Sequence, residues 1–418
     1  KLVADLLQAA PGVKLLVTSR EALNLQGEWL YPLGGLPFPS GDPGREPIFY
    51  DAVRLFVERA QRVRPAFSLA GEEEGAVRIC QLVEGMPLAL ELAASWAKTL
   101  NSATIAAEIQ RGQDFLSTSL RNVPQRHRSL QAVFHQTWNR LPEQAQAVLQ
   151  RLSVFRGGFR RQAAEQVAGA TLPILSALVD KSILHWQPDG RYRMHGLLRQ
   201  YTADQLAGSA GAVERTRDEH CAYYGGFLHN RLGNLMGGRQ RDAMLEIEPD
   251  LENIRAAWQW AVDGAKVAEL QKSVQALSLF YQFQSRYLEA AQAMDAAIES
   301  VTREVTDQQT DLLLTALLVE QAWFSIRFGQ LEKAESALEE CQKVYHRLDI
   351  PPIPGQGTDP LLPLGIIASI RGDYEQAARL GEQARQASES QGHTWNRQFA
   401  HVESHKVVPG KVSQSRTG

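Results

Sequence analysis

The sequence predicts a mainly α, multidomain protein, and three observations carry that prediction. At roughly 100 to 200 residues per domain, 418 residues amount to about two to four domains. From Asp51 onward the apolar residues recur with the period of a helix, while strand-like runs are confined to two short places. Beyond Ala210 a helix–turn pattern returns at offsets of 44 and 43 residues.

Composition narrows the function classes. Hydrophobic residues make up 44% and charged residues 22%, which excludes disorder for most of the chain. With 44 Lys+Arg against 47 Asp+Glu the net charge is -3, so a generally cationic nucleic-acid binder is excluded and only a local basic patch is open. Cys80, Cys221 and Cys341 are odd in number and far apart, which allows neither a disulfide framework nor a zinc cluster and fits a reducing, cytoplasmic setting. No run approaches the ~20 apolar residues of a membrane span, and no membrane partner is expected. Opening at Lys1 rather than at methionine, the chain is expected to be an internal stretch of a longer protein.

Residues 1–45 read as the end of an α/β unit. Val3, Leu6 and Leu7 give a short helical face, Pro11 and Gly12 break it, and Lys14 to Ser19 forms an apolar run with the character of a parallel strand buried on both faces. Chemistry in such sheets sits at the carboxyl end of a strand, here Thr18, Ser19 and Arg20. Pro32 to Pro47 holds five prolines and reads as a linker or surface loop. A helical domain, 46–118, follows. Asp51 is placed to cap a helix with Val53, Phe56, Val57, Ala60 and Val63 on one face; a second helix covers about 72–83 and stops at Gly85; Pro87 then occupies the first turn of a third, Leu88 to Lys98.

Residues 119–207 read as a separate small domain. Helices around 129–140, 142–151, 160–168 and 172–180 precede the strand Ser182 to Trp186, the turn Gln187-Pro188-Asp189-Gly190, the strand Arg191 to Met194 and a last helix, Leu197 to Leu206. Helices followed by a two-stranded wing describe a winged helix. In 208–400 three helix turns align: Ser285, Gly329 and Gly372; two residues on, Tyr287, Leu331 and Tyr374; three further, Ala290, Ala334 and Ala377. A small residue at the turn and alanine where helices meet is the logic of a tetratricopeptide-like α-solenoid, here with longer helices and an enlarging loop at Pro351 to Gly355. The polar, aperiodic tail 401–418 is expected to be disordered.

Three strings carry a family resemblance. Leu15-Leu16-Val17-Thr18-Ser19-Arg20-Glu21-Ala22-Leu23, with Gly27-Glu28 after it, resembles the sensor segment of the STAND signal-transduction ATPases, the NB-ARC-like class. Glu84-Gly85-Met86-Pro87-Leu88-Ala89-Leu90 resembles that family's GxPLA motif, and Tyr192-Arg193-Met194-His195-Gly196-Leu197 its Met-His-Asp motif. Arg126 to Trp138, Leu152 to Phe159 and Leu178 to Ser182 are similar to the bacterial branch of AfsR-like and LuxR-type large regulators. The order and spacing of these strings are specific where each alone is weak.

The resemblance implies residues 1–45 to be the C-terminal remnant of a P-loop nucleotide-binding domain. It implies a nucleotide site in which Arg20 presents a permanently charged fork to terminal phosphate oxygens, Thr18 and Ser19 flank it, Pro87 packs on adenine and His195 contacts the β-phosphate of ADP. It departs from the family in one place: the aspartate after the histidine is Gly196. The cofactor implied for the intact protein is ATP or ADP with Mg. No Gly-x-x-x-x-Gly-Lys-Ser/Thr loop occurs in these residues, nor the acidic strand end that follows it, so this stretch alone is expected neither to hydrolyse ATP nor to hold nucleotide tightly. The partners implied are a protein or small-molecule inducer on the helical repeats, a second copy on activation, and DNA through an output domain outside this chain.

Two other readings compete with the nucleotide switch. One is a tetratricopeptide-like scaffold that binds a protein or peptide without nucleotide. The other is a winged-helix DNA binder, because residues 121–161 hold eight arginines against the single acid Glu143, with Arg156, Arg160 and Arg161 the candidate contacts.

Overall fold

The computed structural model describes residues 2–10, 12–19, 22–23, 25–31, 33–40, 46–111, 116, 130–303, 307–350 and 359–390. Arg20, the arginines 121, 126 and 128, the loop Pro351 to Gly355 and the tail 401–418 lie outside the described residues. Helices dominate, as expected of a mainly α protein, in two compact units, Lys1–Thr216 and Arg217–Gly418.

The first unit opens with α1 (Leu2–Ala9). Residues 14–19, expected as a buried parallel strand, take no regular structure, and Leu16 is 99% exposed. A strand apolar on both faces is stable only between hydrogen-bonded neighbours and covering helices, and among the described residues no strand pairs with this one. The end of the proline-rich stretch also departs from a free surface loop. Pro37 and Pro39 cannot donate, but their carbonyls accept from Ala52 N–H at 3.1 Å and Gln81 Nε2 at 3.0 Å, while Leu36 and Phe38 pack on the helical core.

That core is built by α2 (Asp51–Val63), α3 (Glu73–Leu82), α4 (Pro87–Ser95) with a 3₁₀ turn Trp96–Lys98, and α5 (Ser102–Arg111). Val53, Phe56, Ile79, Leu90, Ile105 and Ile109 are buried together. Asp51 stands within the first turn of α2 and makes no cap, Tyr50 holding the cap position. Helix α5 has no counterpart in the sequence reading; Glu72 fixes its start by accepting from both the N–H and the hydroxyl of Ser102, each at 2.7 Å.

Next come α6 (Leu130–Trp138), α7 (Glu143–Leu152), β1 (Phe159–Arg160), α8 (Arg161–Ala168), α9 (Leu172–Asp180), β2 (Leu184–Trp186), β3 (Arg191–Met194) and α10 (Gly196–Ala207). The hairpin β2–β3 is antiparallel with Leu184 opposite Met194 and Trp186 opposite Tyr192. A third strand, β1, joins β3 with Phe159 opposite Tyr192, giving the order β1-β3-β2. Two residues are too few to show alternation in sequence, so this strand was legible only as the start of a helix. Phe159 is buried between Phe155 and Tyr192, with ring centroids at 4.6 and 6.0 Å.

Helix α11 (Ala212–Leu235) leads into the second unit, made of α12 (Gln240–Ile247), α13 (Leu251–Asp263), α14 (Val267–Phe283), α15 (Tyr287–Val301), α16 (Gln308–Arg327), α17 (Leu331–Leu348), α18 (Leu361–Ile370) and α19 (Tyr374–Ser390). The aligned turn residues share one backbone state: Ser285, Gly329 and Gly372 have φ of +56°, +70° and +85°. The residue after each donates its N–H five residues back, Arg286 to Tyr281, Gln330 to Ser325 and Asp373 to Ala368, all at 2.9 Å, the six-to-one bond that ends a helix at a left-handed residue. Tyr287, Leu331 and Tyr374 then open α15, α17 and α19, and Ala290, Ala334 and Ala377 are buried. Ala265, with φ +43° and Lys266 N–H donating to Ala261 at 2.8 Å, repeats the device before α14 without a small-residue signature beyond alanine.

Candidate functional site

Two of the three motif strings meet in the first unit. The α3–α4 turn places Glu84 and Gly85 in the left-handed region, φ +48° and +67°, and Pro87 at the first turn of α4, where a missing N–H leaves nothing unsatisfied. Pro87 is exposed. The turn is clamped from behind. Leu36 N–H donates to Gly85 O at 2.8 Å, and a Cβ on Gly35 or Gly85 would fall 2.1 Å from Glu84 O or 2.0 Å from Leu36 O.

Against this turn stands the start of α10. Gly196 N–H donates to Glu84 Oε1 at 2.8 Å, and the next residue, Leu197, is buried in the core of the preceding helices. His195 is the N-cap: its Nδ1 accepts from Leu197 N–H at 3.2 Å, which leaves the proton of the neutral ring on Nε2. That Nε2 is buried without a hydrogen-bond partner. Burial holds the imidazole below its ordinary pKa against the pull of Glu84 and the Val83 carbonyl, and His185 and Arg193 add to the depression. The ring is therefore neutral near pH 7 and offers a donor.

One turn along α10, burial lowers Arg199 to about 10; Arg156 contributes in the same sense and Glu84 against it. Thus Arg199 stands within the field of a second cation, Arg156, and of one carboxylate, Glu84. From the other side α6 supports α10, with His135 Nδ1 at 3.1 Å from Tyr201 OH and the Trp138 ring against Tyr201.

The other expected site residues fall elsewhere. Thr18 and Ser19 are exposed in the irregular segment, and nearby Ala22 N–H donates to Asp180 O at 3.3 Å. Arg156, Arg160 and Arg161 are all exposed, Arg160 in β1 and Arg161 opening α8, 3.9 Å from Glu165. The exposed residues of α9 are Leu172, Pro173, Ser176, Ala177 and Asp180, with no basic or amide side chain. Glu84 and Arg199 were not singled out from the sequence; the signal for Glu84 was an acid directly before a Gly-x-Pro turn.

Among the described residues no group of three His, Cys, Asp or Glu is placed to hold a metal ion, and no helix is long and apolar enough to cross a membrane. The three cysteines are buried, and burial pushes each thiol up to about 12, out of the reactive range.

No protein-family model matches the chain. Over 281 residues, 64% of this chain, it is 30% identical to "Putative HTH-type transcriptional regulator Rv0890c" of Mycobacterium tuberculosis and equally to its Mycobacterium bovis counterpart, of which the match covers 30%. It is 31% identical over 226 residues to "Uncharacterized protein Rv0894" of M. tuberculosis, covering 51% of this chain and 55% of that protein. The chain thus spans about a third to a half of these relatives. A STAND protein with a tetratricopeptide repeat sensor from Pyrococcus horikoshii aligns over 85% of this chain and 63% of its own at 13% identity, with a TM-score of 0.26, too low to bear on the fold. The longer of these relatives carry names that speak of HTH-type transcriptional regulation.

Proposed function

We propose that the chain is part of a nucleotide-switched transcriptional regulator of the STAND type, closed when ADP is held at the joint between the α3–α4 turn and α10. One observation carries this reading: the hydrogen bond from Gly196 N–H to Glu84 Oε1, which puts the His195 string and the Pro87 string in one place. Three features support a nucleoside diphosphate as the ligand. Pro87 offers an exposed apolar ring at a helix start for a base, and the buried Nε2–H of His195 makes no well-formed hydrogen bond, the Val83 carbonyl acting on it only weakly, so a stronger acceptor could claim it. Arg156 and Arg199 supply the positive field that phosphate oxygens require.

ATP with Mg would supply the alternative charge and shape that favour an open form. A phosphate-cradling loop, absent from these 418 residues, would come from elsewhere in the full-length protein. An inducer on the helical array would act by binding the open form more tightly; a ligand with equal affinity for both forms shifts nothing. Opening would permit self-association, with DNA read by an output domain elsewhere.

The test is His195→Ala in the full-length protein. ADP release is expected to quicken by roughly tenfold, the loss of one hydrogen bond to a charged group; release at the parent rate would refute the latch. A DNA role for the segment 130–207 finds less support, because the exposed face of α9 carries no basic or amide side chain, the types that dominate phosphate and bidentate base contacts. The array as a scaffold without nucleotide would be indicated by a partner whose affinity ignores ADP.

A further inference from the structure

The resemblance leads to an acid after His195, and the chain has Gly196 there. An acid nevertheless occupies that space. A Cβ built on Gly196 would lie 3.1 Å from Glu84 Oε1, the oxygen that accepts Gly196 N–H at 2.8 Å. We infer that Glu84 is the acid of the His195 latch, supplied across 112 residues from the α3–α4 turn, and that glycine stands at 196 because Glu84's carboxylate fills the room a side chain there would need.

Three features favour this assignment. First, Glu84 sits in the left-handed region at φ +48°, which costs a residue with a Cβ roughly 1 kcal/mol over glycine. A carboxylate accepting from a helix's first amide offsets a cost of that size. Second, the backbone of the turn is held at two points, by Leu36 N–H on Gly85 O at 2.8 Å and by the close approach of Gly35 to the Glu84 carbonyl. Third, the amide caps of α10 are divided: Leu197 N–H goes to His195 Nδ1 within the loop, and Gly196 N–H goes across to Glu84.

The consequence differs from that of an acid within the motif. An acid at 196 would cap its own helix in any arrangement of the segments. Glu84 caps α10 only while the α3–α4 turn is docked. Undocking therefore frees the first amide of the helix, leaving only the His195 Nδ1 cap on Leu197 N–H, and removes from His195 and Arg199 the one carboxylate that raises both of their pKa values. Other groups acting on these two are His185, Arg193 and Arg156, so the charge that remains around them is repulsive to a protonated ring. Glu84 is thus a positioning residue that couples docking to the histidine.

The cap can be tested on the 418-residue protein without nucleotide, by amide hydrogen exchange and the unfolding midpoint. Glu84→Ala is expected to speed exchange of the Gly196 amide by about tenfold or more, with Glu84→Gln, which keeps the acceptor and loses the charge, between it and the parent. Gly196→Asp alone is expected to lower the midpoint by forcing two carboxylates into one space. Combined with Glu84→Ala it is expected to recover, because the introduced carboxylate then stands in the first turn of α10, at the positive end of the helix. Unchanged Gly196 exchange in both Glu84 variants, or equal cost of Gly196→Asp with and without Glu84, would overturn the assignment. It rests on the nucleotide reading only for its regulatory meaning: a recovering double variant together with unaltered ADP release in His195→Ala would keep Glu84 as the cap and remove the nucleotide.

Discussion

The two compact units are held by contacts of opposite range. In the first, α10 meets the preceding helices through a bond spanning 112 residues, Gly196 to Glu84, and through Leu197 buried among residues more than eighty positions earlier. In the second, charged staples link residues 34 to 38 apart. Arg255 holds Glu289 with two parallel bonds at 2.5 and 2.6 Å, Lys333 holds Asp295 at 2.8 Å, and Arg347 and Arg371 grip Asp311 and Glu335. A solenoid's stability is close to a sum over neighbouring interfaces, so loss of one staple loosens one step. A joint concentrated at one turn has no such redundancy. That is the arrangement through which a small differential binding energy changes the whole unit, and it is the physical reason that the proposed switch falls in the first unit and not in the array.

The comparison breaks most sharply at two glycines of the same hand. Gly85 and Gly329 have φ of +67° and +70°. At Gly85 a Cβ would meet the Leu36 carbonyl at 2.0 Å, and that strand of backbone cannot retreat without losing the Leu36 to Gly85 hydrogen bond. At Gly329 nothing lies within 4 Å. Gly85→Ala is therefore expected to cost about 3 kcal/mol or more and Gly329→Ala about 1 kcal/mol, the conformational part alone. Denaturant unfolding with hydrogen exchange to assign each change to its unit checks this. Equal costs would mean that the turn in the first unit is no more constrained than one in the array.

The array has its own point of concentration, at Glu320 in α16. Burial pushes its carboxyl up to about 8, with a hydrogen bond from Ser278 acting in the other direction. Its folded pKa lies above the unfolded one, so its contribution is fully present below the ordinary carboxylate range, near 4, and is lost as pH rises toward 8. Over that window the second unit should lose up to roughly 1.4 kcal/mol per pH unit from this group. Glu320→Gln, neutral at every pH, is expected to flatten the slope between pH 5 and 8 in unfolding measurements of that unit. A slope identical in parent and variant would place the titration elsewhere.

How far the sequence foretold this depended on the kind of signal. Helices with a clear apolar face, such as α2 with Val53, Phe56 and Ala60, were legible nearly to the residue, because burial on one side imposes the period. The hairpin around Asp189-Gly190 was legible from its turn chemistry, Gly190 taking φ +80°. Helix α5 was missed because its start is fixed by Glu72, thirty residues earlier, and not by a local cap. The strand at Lys14 to Ser19 was read from apolar content alone, which cannot supply the neighbours a strand requires. At the site, Pro87 and His195 were visible as motif residues, whereas Glu84 acquires its role only from a partner 112 positions away. Pairings of that range leave no local pattern, and a single chain shows them only when folded.

The smallest expected effect bears on the repeat itself. Ser285, Gly329 and Gly372 share the left-handed turn, yet only Ser285 carries a Cβ, with φ +56°. If the three turns are equivalent, serine is the strained member. Relief of a left-handed residue is worth roughly 1–2 kcal/mol, and glycine returns about 0.5–1 kcal/mol of that as extra freedom of the unfolded chain. The net gain expected for Ser285→Gly is thus about 0.5 kcal/mol, read as a higher denaturant midpoint of the second unit with an unchanged slope. Loss of stability would show that the hydroxyl or Cβ of Ser285 holds something that the two glycine turns do not, and the repeat would then be one of spacing without being one of energy.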